Sequence, residues 1–178
     1  MSLAFVFPGQ GSQSVGMLAE LATTFPQVQA TFSEASDALG YDLWQLVTDG
    51  PIESLNQTER TQPAMLAAGI AVWRSWQSVS DIAPSYLAGH SLGEYTALVA
   101  AGAMSFTDAI KLVEQRGVFM QKAVPAGQGA MAAILGLDDD IVREICSQSA
   151  LNGNGVIEAV NFNSPGQVVI AGNLAAVN

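Results

Sequence analysis

Gly89-His90-Ser91-Leu92-Gly93 sets a serine between two glycines, and that spacing suits acyl chemistry. In a Gly-x-Ser-x-Gly turn between strand and helix, the glycines relieve crowding and the serine oxygen projects from the sheet edge. The helix behind it turns its first N–H groups, and the positive end of its dipole, towards charge developing on an attacked carbonyl. The plainer alternative is a Gly-rich turn with a solvent-exposed serine. The flanking segments favour the chemical reading, since "SYLA" reads as a strand and "EYTALVAA" as a helix.

A second candidate is "FPGQGSQSVG" near the N-terminus. It is not a dinucleotide loop, because Ser14 stands where a third glycine belongs, and no Gly-Lys-Ser/Thr follows to make a phosphate loop. What remains is a strand-to-helix loop whose N–H groups can face a site, or simply a tight turn.

Arg116 is the third. On a helical wheel of residues 108–122, Lys111, Glu114, Gln115, Gln121 and Lys122 share one side. Arg116 lies on the other, in line with Ala109, Val113 and Met120. A guanidinium in an apolar stripe needs a partner, because burying it unpaired is costly. That partner is either a structural group such as Asp37, Asp42 or Glu94, or a substrate carboxylate held by both arms of the fork.

A nucleophilic serine also needs a base. The sequence has one histidine, His90. Adjacent side chains on a strand entering a turn diverge, so His90 is expected to point away from the Ser91 oxygen. Glu94, one turn into the helix, reads as structural.

The elements that must hold these groups follow from the pattern. "LAFVF" reads as a strand ended by Pro8 and Gly9. A helical stretch is expected from about Ser14, with breaks at Pro26 and Gly40. "TQPAMLAAGIAVWRSWQ" reads as a buried helix with Pro63 in its first turn. "SFTDAIKLVEQRGVFMQKA" is a helix capped by Ser105 or Thr107. These make up an α/β core spanning residues 1–124.

From Pro125 the character changes. "GAMAAILGL" reads as a strand and "DDDIVREICSQSA" as a helix with acidic residues at its positive end. "VIEAVNF" and "QVVIAG" form a hairpin about Pro165-Gly166, a pair suited to a type II turn. A helix of barely one turn closes residues 125–178. This is most of a split β-α-β unit, so the sequence is expected to be a piece of a longer chain.

The 178 residues are 49% hydrophobic and 12% charged, a composition that folds. Six Lys and Arg against 16 Asp and Glu leave a net charge of −10, and no lysine precedes Lys111. A nucleic-acid partner is therefore excluded from consideration, and an acidic protein partner would meet overall repulsion. No apolar run approaches a membrane span, and the N-terminus lacks the positive region of a signal peptide. One cysteine, Cys146, suits a reducing cytoplasm.

Together, "FVFPGQGSQSVGM", "TQPA", "GHSLGEYTAL", "LVEQRGVFMQ", "GAMAAILGL" and "VNFNSPGQVVIAG" resemble, in order and spacing, the malonyl-CoA:acyl carrier protein transacylases of bacterial fatty acid synthesis. The resemblance implies an α/β-hydrolase-like core with a small ferredoxin-like subdomain. It also implies Ser91 as nucleophile and an oxyanion hole from the N–H groups of Gln10 and Leu92. Arg116 would clamp the free malonyl carboxylate and Gln62 would line the pocket. Asn161 and Asn163 would lie near the cleft, although the hairpin turn explains them almost equally well. The partners implied are malonyl-CoA and acyl carrier protein, with no metal or redox cofactor, and the protein is expected to be a cytoplasmic monomer. The family's base is a histidine well downstream of the small subdomain. The alternatives are an acyltransferase domain of a polyketide synthase, a serine esterase or thioesterase of α/β-hydrolase type, and a carrier-binding or inert domain.

Overall fold

The computed structural model describes residues 2–125, 127–153 and 155–178. The chain is mixed α/β and divides into two compact units, residues 1–121 and 122–178.

The first unit opens with β1 (Ala4–Phe7), followed by α1 (Ala19–Thr24), α2 (Pro26–Leu39), α3 (Leu43–Asp49) and α4 (Ile52–Leu55). Then come α5 (Thr58–Val79), β2 (Tyr86–Gly89), α6 (Leu92–Ala100) and α7 (Phe106–Ala123). Strands β1 and β2 run parallel, with Phe7 opposite Gly89, so both end at the same sheet edge. In open α/β sheets, ligands bind beyond the carboxyl ends of parallel strands.

Helix α5 forms the centre of the unit. Residues 61–68 are all buried, as are Ile70, Ala71 and Trp73, the pattern of a helix enclosed on nearly every side. Helix α2 lays Val28, Phe32 and Ala35 against it, and α7 contributes Phe106, Ala109, Ile110 and Val113 to the same core. Those spacings of three and four residues put each set on one helix face. Pro26 stands at the start of α2, and Gly40 ends it in the left-handed conformation. Ser105 caps α7, accepting from the Asp108 N–H at 3.1 Å while its hydroxyl donates to the Asp108 carboxylate at 2.6 Å.

Two expectations are corrected here. The first helix starts at Ala19 rather than near Ser14, because Gly16 (φ 84°) and Leu18 (φ 64°) hold the intervening backbone left-handed. Helix α5 starts at Thr58, so Pro63 lies inside the helix rather than in its first turn. The polar run "NQTER" has no apolar period to announce that start. It is fixed instead by the Gln57 carbonyl, which accepts from the N–H groups of Arg60 and Thr61 at 2.8 and 2.7 Å.

The second unit contains β3 (Gly129–Leu135), α8 (Asp139–Leu151), β4 (Ile157–Ser164), β5 (Gln167–Asn173) and α9 (Leu174–Val177). Its sheet has the order β3-β5-β4, with β5 antiparallel to both neighbours. Strands β3 and β4 are therefore parallel with β5 inserted between them, the split β-α-β arrangement. Val142 and Cys146 of α8 pack on Ile157, Val168 and Ile170 of the sheet. Gly166 has φ 73°, as the third position of a type II turn requires.

Candidate active site

Ser91 sits between β2 and α6 with φ 53° and ψ −106°, a conformation that costs a non-glycine residue about 1–3 kcal/mol. The surrounding packing imposes it. A Cβ on Gly89 would stand 2.1 Å from the Gly93 carbonyl carbon and oxygen, and one on Gly93 would stand 2.1 Å from the Phe7 carbonyl oxygen. Both flanking glycines are thus required, because the start of α6 lies directly against the ends of β1 and β2.

The same closeness brings the loop after β1 to the serine. A Cβ on Gly9 would lie 3.2 Å from the His90 carbonyl oxygen, so the loop packs beside the elbow. The loop is braced from behind: the Gly11 N–H donates to the Gln13 side chain at 2.8 Å, and Gln13 Nε2 donates to Asn56 Oδ1 at 2.8 Å. Gln10 Nε2 donates to Thr58 Oγ1 at 3.4 Å, which turns its side chain towards α5. Leu92 is the first residue of α6, with its side chain buried. N–H groups of a first helical turn have no partner within the helix.

Arg116 reaches Ser91 from α7. Its Nη2 donates to Ser91 Oγ at 2.9 Å and its Nη1 donates to Gln62 Oε1 at 2.7 Å. The guanidinium carbon lies 5.6 Å from the centre of the Tyr95 ring. Gln62 is fully buried on α5, and its Nε2 donates to Met120 Sδ at 3.2 Å. Gly117 permits this crossing: a Cβ there would fall 2.5 Å from Glu59 Cα and 2.8 Å from the Thr58 carbonyl oxygen.

None of the structural carboxylates considered for Arg116 holds it. The ion pairs among the described residues are Arg74–Glu34 and Arg143–Asp140. Asp42 instead caps α3, accepting from the Gln45 N–H at 2.8 Å, and Asp37 and Glu94 are exposed. A cation held by a neutral amide and a serine hydroxyl, with no carboxylate partner among the described residues, can receive an external anion. Beyond the residues singled out in the sequence, the structure adds Tyr95, Met120 and Gly117. Met120 was legible as the residue one turn after Arg116 on the same face, whereas nothing in the sequence marks Tyr95.

Arg60 stacks on Tyr41, its guanidinium carbon 3.8 Å from the ring centre. Burial raises the Tyr41 hydroxyl above its ordinary value, with Arg60 opposing. Burial also raises the Glu114 carboxyl, against the pull of Arg60 and with a further push from Glu59. Asn161 and Asn163 lie on β4 of the second unit.

A family profile described as the acyl transferase domain matches residues 4–178. The chain belongs to this family. It is 61% identical over 174 residues to the malonyl CoA-acyl carrier protein transacylase of Salmonella typhimurium, covering 98% of this chain and 56% of the relative. The Bacillus subtilis enzyme of the same name is 47% identical, covering 98% and 55%. Among solved structures, FabD from Acinetobacter baumannii superposes with a TM-score of 0.95 at 62% identity, covering 99% of this chain and 55% of that one. A malonyl-transacylase in complex with its type II polyketide synthase acyl carrier protein also has a TM-score of 0.95, at 59% identity and covering 99% and 57%. The chain spans a little over half the length of the curated relatives it matches.

Proposed function

We propose that this chain forms the nucleophile- and clamp-bearing part of a malonyl-CoA:acyl carrier protein transacylase. The observation that carries the proposal is the position of Arg116: one arm of its fork on Ser91, the other on a buried amide, and no carboxylate partner among the described residues. In a malonyl thioester, one methylene separates the carboxylate carbon from the thioester carbonyl carbon, about 2.5 Å across two C–C bonds of ~1.52 Å. A carboxylate received by Arg116 therefore brings the thioester carbonyl to the Ser91 oxygen.

The reaction has two acyl-transfer steps. Ser91 Oγ attacks the thioester carbonyl, a malonyl ester forms on the serine, and the C–S bond to CoA breaks. The phosphopantetheine thiol of acyl carrier protein then attacks the ester and the serine is regenerated. The N–H groups of Gln10 and Leu92 stabilise the oxyanion in both steps. Gln62 holds Arg116 in register. Neither step changes an oxidation state, so no redox cofactor enters the scheme, nor does it call on a metal. His90 is not assigned as the proton acceptor, because adjacent side chains on a strand entering a turn diverge and its ring is expected to point away from the Ser91 oxygen. The resemblance assigns that role to a downstream histidine, in the part of the relatives' length that this chain does not span.

The elbow between a parallel sheet edge and a helix supports an α/β-hydrolase-like core. The β3-β5-β4 order supports a ferredoxin-like small subdomain. The complex of a related malonyl-transacylase with its carrier protein supports acyl carrier protein as the second substrate. A monomer is proposed, and a single buried free cysteine is in keeping with a cytoplasmic location.

Arg116→Ala tests this reading in the natural full-length protein. Malonyl transfer to carrier protein should fall roughly 10- to 150-fold, the effect of losing a charge-assisted contact, while hydrolysis of an uncharged ester at Ser91 persists. Equal losses with both substrates would contradict the clamp.

A further inference from the structure

Gln62 is fully buried, yet its amide has two different ends to satisfy. The carbonyl oxygen accepts from Arg116, and the amide nitrogen donates to the sulfur of Met120. Reversing the amide would set its N–H groups against those of the guanidinium, so the oxygen must face Arg116. That leaves the nitrogen needing an acceptor in a place without access to solvent. The last torsion of a glutamine is soft and broad, so an orphaned N–H would swing the amide towards another acceptor and carry the oxygen away from Arg116.

We infer that Met120 is a positioning residue for acyl-group selection, its thioether fixing the Gln62 amide so that Arg116 is aimed at the carboxylate of an incoming acyl group. This rests on the transacylase reading above. Met120 and Arg116 lie one turn apart on α7, so residues four apart on one helix face grip opposite ends of a single amide on α5. Met120 is half exposed, at 49%, so its place here is not that of a core filler. Thioethers are weak acceptors, but here the sulfur answers a donor with a weak claim on any alternative. The chain of contacts runs from sulfur to amide to guanidinium to serine. It bears on a substrate only through the guanidinium, and so on acyl groups that carry a negative charge.

The test compares Met120→Leu with Met120→Gln in the natural full-length protein. Leucine keeps the volume approximately but removes the acceptor, whereas glutamine offers a carbonyl acceptor at nearly the same reach. Transfer to carrier protein is measured from malonyl-CoA and from acetyl-CoA. For Met120→Leu the ratio of the two kcat/KM values should fall about three- to tenfold, carried mainly by a rise in KM for malonyl-CoA. Met120→Gln should restore the ratio towards wild type. A ratio unchanged in Met120→Leu overturns the inference, as does an equal loss in both variants, which would make the effect one of shape. Where the leucine variant does not fold, Met120→Gln decides alone: a retained ratio supports the inference and a lost one overturns it. Failure of the wild-type protein to form a malonyl-serine would overturn the transacylase reading and this inference together. Malonyl-serine formation with an unchanged ratio in Met120→Leu would overturn this inference only.

Discussion

Arg116 and Gln62 are 54 positions apart in sequence and meet at 2.7 Å, joining the helix that carries the cation to the helix at the centre of the first unit. The meeting depends on Gly117, which lets the two helices approach until only a hydrogen atom fits between α7 and the Glu59 backbone. From this crossing the second arm of Arg116 extends to Ser91.

The fork geometry makes lysine a poor substitute. A guanidinium reaches Gln62 and Ser91 at once, whereas an ammonium is a point charge on a flexible stem. Arg116→Lys should keep the charge yet recover only part of the malonyl transfer lost in Arg116→Ala, as read from kcat/KM for malonyl-CoA. Full recovery would mean that charge alone is sufficient.

Gly117→Ala sets two effects against each other. Alanine is better than glycine in a helix interior by about 1 kcal/mol. The added Cβ, however, would lie 2.5 Å from Glu59 Cα, a backbone atom that cannot turn aside. Overpacking of this kind costs about 1–3 kcal/mol, so the clash wins. Urea unfolding should show a net loss of stability, and malonyl transfer should fall with it because the Arg116–Gln62 crossing opens. A stabilised variant would show that the helices can separate freely.

Glu114 predicts a pH dependence. Burial raises its carboxyl above the ordinary value of about 4.5, so the folded protein holds this proton more tightly than the unfolded chain. Its contribution to stability is then fully present below the unfolded value and is lost as the pH rises through the folded one. Glutamine does not titrate. The stability of Glu114→Gln relative to wild type should therefore improve as the pH is raised from about 4 to 7, measured by urea unfolding at each pH. A difference independent of pH would show that the carboxyl is unperturbed.

The elbow was legible because its glycines are dictated locally: strand end, turn and helix start lie within a few residues, and spacing encodes their contacts. The hairpin at Pro165-Gly166 and the cap at Ser105 were legible for the same reason. Arg116 was half legible. Its place on an apolar stripe marked it as needing a partner, but the wheel could not choose among Asp37, Asp42, Glu94 and a ligand. That choice depends on where α5 crosses α7, which no pattern within either helix records. Tyr95 was missed because an aromatic one turn into a helix looks like ordinary core. Pro63 was misplaced because the first turn of α5 is polar and is set by the Gln57 carbonyl rather than by hydrophobic period.

Intact mass of the natural full-length protein after incubation with malonyl-CoA, beside Ser91→Ala, tests the central claim most directly. The account predicts a single malonyl adduct on the wild type that is absent from the variant. No adduct on the wild type, or one that persists in Ser91→Ala, would contradict it.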